Sequence, residues 1–168
     1  MKILVRLLTA LLFASVAFAS VPSAQATIAG DTQGCTPGYW KQSQHFDSWQ
    51  EASPSSLFTT KFKIGTPTVD PLNGLTFLQA LQGGGGPDLV GARKILARAA
   101  TAARLNAAYD APDGSAMFFP WRRATASAFG RPALVPTVRA AITGTDRAAM
   151  LSLAAWLDRD NNLGCPLN

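Results

Sequence analysis

Histidine and cysteine are nearly missing from this chain of 168 residues, which has one of the first and two of the second. Three such side chains do not complete an all-protein zinc site, which takes four ligands, unless a carboxylate joins them. Cys35 and Cys165 are also 130 positions apart, far from the Cys-x-x-Cys spacing of most redox pairs. Charged residues make up only 15% of the chain, and its 10 carboxylates are scattered without a pairing motif. No Gly-x-Ser-x-Gly nucleophile elbow and no metal-ligand cluster occurs, so the common hydrolase signatures are absent. A dense basic stripe interleaved with stacking aromatics is missing too, which argues against a nucleic-acid partner. After the first 26 residues no apolar run approaches the roughly 20 residues that a membrane span needs.

What is present begins with Lys2 and Arg6 ahead of an apolar run from Leu7 to Ala19, followed by Ala24-Gln25-Ala26. Charge, short apolar stretch and small residues at the two recognition positions predict a signal peptide over 1–26, cut after Ala26. No cysteine stands at the cut, which argues against a lipid anchor. The expected mature chain, 27–168, has 13 basic against 10 acidic residues, a net of +3, and the length of one ordinary domain. Its expected location is secreted or periplasmic. In an oxidising compartment a bond between Cys35 and Cys165 is the default fate of two cysteines. Closing so long a loop is worth about 5 kcal/mol in the chain-entropy description.

The most distinctive stretch is Gly34-Cys35-Thr36-Pro37-Gly38-Tyr39-Trp40-Lys41, continuing through His45-Phe46-Asp47-Ser48-Trp49 and answered near the end by Asn161-Asn162-Leu163-Gly164-Cys165-Pro166. Thr-Pro-Gly reads as a turn that delivers Tyr39 and Trp40 together. Trp40 and Trp49 read as core plugs; the competing reading makes Tyr39, Trp40 and Lys41 a platform for a sugar ring or polymer. His45 and Asp47 form the only His-carboxylate neighbourhood, either an imidazole oriented for base catalysis or a structural histidine. In their order, these motifs resemble a family of small, uncharacterised exported bacterial proteins. The resemblance spans most of 34–166 and implies a shared fold and export; it brings no activity and no catalytic residues.

From Glu51 to Asn73, Ser, Pro and Gly breakers leave no helical period, so this part reads as an irregular arm with Phe58, Phe62 and Ile64 turned inward and room for a short strand near Lys61 to Ile64. Thr76 and Gln79 form a capping box for a first helix, with Gly83 as a left-handed end. Gly83 to Gly86 lacks the ending and preceding strand of a phosphate loop and reads as a flexible connector. A long helix is expected from about Pro87 to Tyr109, with Pro87 at its first position and Asp88 at its positive end. Leu89, Ala92, Ile95, Leu96, Ala99, Ala103, Asn106 and Ala107 make its apolar face, opposed by a basic face of Arg93, Lys94, Arg98 and Arg104, read as solvated surface with an acidic polysaccharide as the alternative partner. Asn106 is an anomaly in that stripe; the reading is that it pins a turn of the N-terminal arm, against a minor alternative of ligand contact.

A loop over Asp110 to Ser115 leads to a second aromatic cluster, Phe118-Phe119-Pro120-Trp121-Arg122-Arg123. Short helices are expected over Arg123 to Phe129 and over Pro136 to Ile142, and Thr145 should cap a last one carrying Ala149, Met150, Leu153, Trp156 and Leu157 on one face. Asp158, Asp160 and Asn162 have the alternation of a calcium loop, but Leu163 stands where glycine is needed and no closing glutamate follows, so a helix end is the preferred reading.

The expected fold is thus all-α: a single compact domain of four to five helices, an irregular arm over 27–73 and a helical core over 74–168, clamped by Cys35 and Cys165. The expected function is that of an exported non-catalytic binding or surface-structural domain that contacts cell-surface protein or polysaccharide and needs no cofactor. Tyr39, Trp40, Lys41, Phe119, Trp121, Arg122 and Arg123 are the ligand candidates, because aromatic faces stack and arginine pairs with carboxylate or sulfate. A secreted hydrolase using His45 and a subunit of a larger extracellular assembly are the alternatives.

Overall fold

A computed structural model describes residues 33–66, 69–114, 116–122 and 130–167. The expected signal peptide, Arg123 and the expected helix to Phe129 lie outside the described residues. Within them the order is α1 (Pro37–Trp40), a 3₁₀ turn (Ser43–Ser48), α2 (Phe58–Lys61), α3 (Phe77–Gln82), α4 (Leu89–Ala108), α5 (Leu134–Thr143) and α6 (Arg147–Asn161). The described residues form no strand. Pairing of the extended kind is limited to isolated bridges, Gly34 with Gly164, Leu57 with Thr76 and Asp110 with Ala116. The all-α fold closed by one disulfide holds, and the arm is less irregular than its breakers suggest, because α1, the 3₁₀ turn and α2 fall inside it.

α4 is the axis of the molecule. It packs most extensively against α6 and also meets α3, α5 and α1. Of its 20 residues, 14 are buried, which places core on nearly every side. Alanine is the cause: Ala92, Ala97, Ala99, Ala100, Ala102, Ala103 and Ala107 let neighbouring backbones approach closely. The expected solvated basic face is therefore corrected. Lys94 is exposed, but Arg93 is only 7% exposed and donates to the carbonyls of Ile142, Gly144 and Asp70. It caps the carbonyl end of α5, where unsatisfied C=O groups and the helix dipole both favour a cation. Arg104 pairs with Glu51 of the arm at 2.8 Å. A helical period locates the inner face only when the other face meets water, and here the arm covers it.

Helix ends follow local chemistry, with four shifts from expectation. The Thr76–Gln79 capping box is complete. Gly83, however, is extended at φ −62°, ψ 141°; its N–H bonds the Ala80 carbonyl, so α3 closes without a left-handed residue. The cap of α4 is Asp88, whose carboxylate accepts from Gly91 N at 2.7 Å, which leaves Pro87 outside the helix. Asp146 rather than Thr145 caps α6, accepting from Ala149 N at 3.0 Å. α5 begins at Leu134, two residues early, because Pro136 still lies in the first turn, where no N–H is required. The glycine run is packed at its end, where a Cβ on Gly91 would come within 2.4 Å of the Gly86 backbone, while Gly84 stays in open space.

The arm is anchored by aromatics. Phe58 and Phe62 stack at 4.4 Å, both near Phe77, and all three are fully buried. Each contributes about 1.5–3 kcal/mol of transfer free energy before ordering costs. Backbone bonds from Phe58 N to Leu75 O and from Phe77 N to Ser56 O hold α2 beside the start of α3. Ile64 packs at the edge of this cluster, and the segment near it is a turn with Lys63 at φ 53°, not a strand.

Candidate functional site

Three polar constellations were candidates, and two of them turn inward. At the clamp, Cys35 and Cys165 are bonded, with Cα atoms 4.4 Å apart. Beside them the Asn106 carboxamide is fully buried and uses all four of its hydrogen-bonding positions. Its Oδ1 accepts from Cys35 N (2.9 Å) and from Trp40 Nε1 (3.0 Å). Its Nδ2 donates to Cys35 O (2.9 Å) and to Asn161 Oδ1 (2.9 Å), and Asn161 passes the chain on to Ala99 O at 3.0 Å. One side chain of α4 thus imitates a strand neighbour for Cys35 and ties α1 and α6 to itself. Trp49 Nε1 extends the network to Trp40 O. Close approach matters here: a Cβ on Gly34 would lie 2.2 Å from Asp160 O.

The second constellation centres on Asp160, only 2% exposed. Its carboxylate accepts from Trp121 Nε1 (2.7 Å), Arg131 Nε (2.9 Å) and Arg159 Nε (3.3 Å). Trp121 meets Trp156 edge-on at 5.0 Å, and the Arg131 guanidinium lies 5.1 Å from the Trp156 ring centre. This disposes of a calcium site at Asp158, Asp160 and Asn162. α6 continues to Asn161, and residues two apart on an α-helix point to opposite sides. Asp160 faces inward, whereas Asp158 lines a separate hollow with Arg98, Lys41 and Asn162. Among the described residues no group of three or more His, Cys, Asp or Glu gathers as metal ligands would.

The aromatic platforms need the same correction. Trp40, Phe119 and Trp121 are fully buried and present no ring face to a ligand. Arg122 is partly buried, paired with Asp110 and donating to Tyr109 O; Arg123 lies outside the described residues. Tyr39, partly exposed, and Lys41, exposed, remain at the surface. His45 stacks on Tyr39 at 3.8 Å, while Asp47 accepts from the Ser48 hydroxyl at 3.3 Å. His45 and Asp47 therefore do not form a bonded dyad, since the 3₁₀ turn has three residues per turn and sends positions two apart in different directions.

The third constellation is open. Two adjoining hollows of about 420 and 500 Å³ share Ser48, Tyr109, Ala111 and Pro112. One end is formed by Asp47 and Asp110, the other by Met117, Pro166 and Leu167. The Tyr39 hydroxyl holds the lining residue Leu167 from behind, donating to its carbonyl at 3.2 Å. Burial pushes the Tyr39 phenol above its ordinary value; a bond with Ser48 works the other way, and Tyr109 and Asp47 add to the rise. Phe118, 52% exposed, stands by the same end, since its backbone pairs with Gln33. Tyr109 and Pro112 were not among the sequence candidates and carry no motif, and Phe118 was read only as part of the second aromatic cluster; the loop is closed by the bridge of Asp110 with Ala116, by Met117 N on Tyr109 O and by the Gln50 carboxamide on Asp110. The chain matches no protein-family model, no curated protein and no solved structure.

Proposed function

We propose that the protein is an exported, non-catalytic binding domain that contacts neutral polysaccharide along the groove between the 3₁₀ turn and the Tyr109–Met117 loop. The observation that carries this is the make-up of the groove. Tyr109, Pro112 and the neighbouring Phe118 offer apolar faces for the C–H side of a sugar ring, while Ser48, Asp47 and Asp110 offer hydroxyl and carboxylate groups for its edges. Sites for small ligands combine apolar lining with a few placed polar groups in this way, and a tyrosine ring adds stacking area at low entropic cost. Two carboxylates at one end favour a neutral over an anionic glycan. The intact disulfide supports export, and so does the resemblance of the two end motifs to exported bacterial proteins. Among the described residues no helix is long and apolar enough to cross a membrane.

The test is a thermal-shift screen of neutral and anionic polysaccharides against the wild type, Tyr109→Ala, Phe118→Ala and Asp47→Asn. A neutral polysaccharide should raise the melting temperature of the wild type, with the rise lost in Tyr109→Ala and reduced in the other two. Stabilisation by none of the panel, or stabilisation untouched by all three substitutions, removes the proposal.

A further inference from the structure

A second hollow, remote in its lining from the groove, has a different chemistry. It is about 290 Å³ and lies where the end of α2, the second half of α4 and the start of α5 meet. Ala107, Leu134, Val135 and Pro136 give it an apolar wall, and Lys61 and Lys63 from the end of α2 and Arg104 from α4 bring three cations to its rim. Glu51 is the carboxylate that meets this group: Arg104 pairs with its side chain, and the Lys61 ammonium donates to its backbone carbonyl. The Lys63 ammonium has no ion-pair partner among the described residues.

The backbone around this rim is held in uncommon conformations. Glu51 at φ 58° and Lys63 at φ 53° are the two left-handed residues other than glycine among the described residues. Neither is asparagine or aspartate, the types that tolerate this region best. Lys63 takes it as the residue that ends α2, where its N–H bonds Thr60 O and the Ile64 N–H bonds Thr59 O, so a left-handed helix cap fixes where Lys63 sits at the rim. Both residues lie beside the same cations. Lys63 is held there from α5 by Arg139, whose Nη1 donates to Lys63 O at 3.4 Å.

We propose that this pocket binds a small amphipathic carboxylate, with its apolar tail against Leu134, Val135 and Pro136 and its headgroup between Lys61, Lys63 and Arg104. The volume falls at the small end of ligand sites, roughly 300–1,000 Å³, which suits one short chain or ring rather than a polymer. The excess of cations over carboxylates at the rim selects a negative headgroup, and arginine can engage it through paired N–H donors. This reading is independent of the polysaccharide groove: it uses other residues and ligands of opposite polarity.

The experiment is titration of the uniformly ¹⁵N-labelled protein with decanoate, with 1-decanol as the uncharged probe. Decanoate should move the amides of Lys63, Arg104, Leu134 and Val135 in a saturable way and leave those of Ser48 and Ala111 in place. Lys63→Gln and Lys61→Gln should each weaken decanoate by about tenfold, the effect of losing a contact of about 1.4 kcal/mol. Ala133→Trp, at an exposed rim position, should block binding while leaving the amide spectrum of α4 and the melting temperature close to wild type. Decanol should bind at least tenfold more weakly than decanoate. Equal binding of both probes, unsaturable or scattered shifts, or full affinity in both lysine variants would each overturn the proposal.

Discussion

Replacing Asn106 with leucine keeps nearly the same side-chain shape and removes every polar contact at the centre of the clamp. Four groups lose a partner: Cys35 N–H, Cys35 C=O, Trp40 Nε1–H and Asn161 Oδ1. Buried carbonyl-type acceptors tolerate under-satisfaction better than N–H donors do, so the cost falls mainly on the two donors. At about 1–3 kcal/mol for each orphaned group the donors alone account for about 2–6 kcal/mol. Burial of the leucine offsets up to about 2 kcal/mol, so the middle of that range leaves a net loss of about 2 kcal/mol out of a total that for most domains is about 5–15 kcal/mol. With the disulfide intact, urea unfolding followed by tryptophan fluorescence should show the midpoint falling by about 1 M for a slope of about 2 kcal/mol/M. Trp40→Phe should cost less in the Asn106→Leu background than in the wild type, because one of the donors is then already orphaned. Asn106→Asp places a carboxylate oxygen against two acceptors, so that variant should recover stability as pH falls and the acid becomes a donor. A midpoint drop below about 0.3 M for Asn106→Leu, or strict additivity with Trp40→Phe, would refute the hub as described.

Other consequences can be checked on the same protein. Cys35→Ser with Cys165→Ser should lose up to about 5 kcal/mol by loop entropy, and a loss below about 1 kcal/mol in urea unfolding would contradict the clamp. Gly34→Ala should lower the melting temperature by several degrees, since its methyl would meet the Asp160 carbonyl; an unchanged calorimetric melt would show that the arm can shift aside. Burial holds the Asp158 carboxyl above its ordinary range, against the pull of Arg98. Its native state therefore favours the protonated form, a contribution that is whole below the unfolded value and is lost as pH rises through the folded one. Asp158→Asn should accordingly raise the melting temperature at pH 7, and the gain should vanish as the pH is brought below about 3.8; a destabilised variant at pH 7 would reverse the assignment.

Much of the fold was legible in local signals. Breakers, caps and the apolar periods of α3 to α6 are carried by residues close in sequence, and export chemistry pointed to the bond between Cys35 and Cys165. The failures share one cause: they depend on what covers an element from far along the chain. Arg93 looked solvated because its three carbonyl partners lie 23 to 51 positions away. Trp40 is the core plug it was read as; its place and that of Trp121 among the ligand candidates fails because their N–H groups bond Asn106 and Asp160, 66 and 39 positions off. At Asp158, Asp160 and Asn162 the preferred reading of a helix end holds: α6 runs to Asn161, and Asp158 and Asp160, two positions apart, point to opposite sides. The open groove left no local trace, since Tyr109 and Pro166 are ordinary residues brought together only by the clamp.

The central claim is that one carboxamide and one disulfide fix the arm to α4 as part of the same cooperative unit, so that the outer groove is displayed on a rigid frame. Native-state hydrogen exchange at the Cys35 amide tests it most directly, because its acceptor is Asn106 Oδ1 rather than any backbone carbonyl. The account predicts that this amide exchanges only through global unfolding, with the same opening free energy as Ala99 and Ala100 in the middle of α4. Exchange several kcal/mol easier than those amides, at the level of the loop around Gly114, would mean that the arm opens on its own and would contradict it.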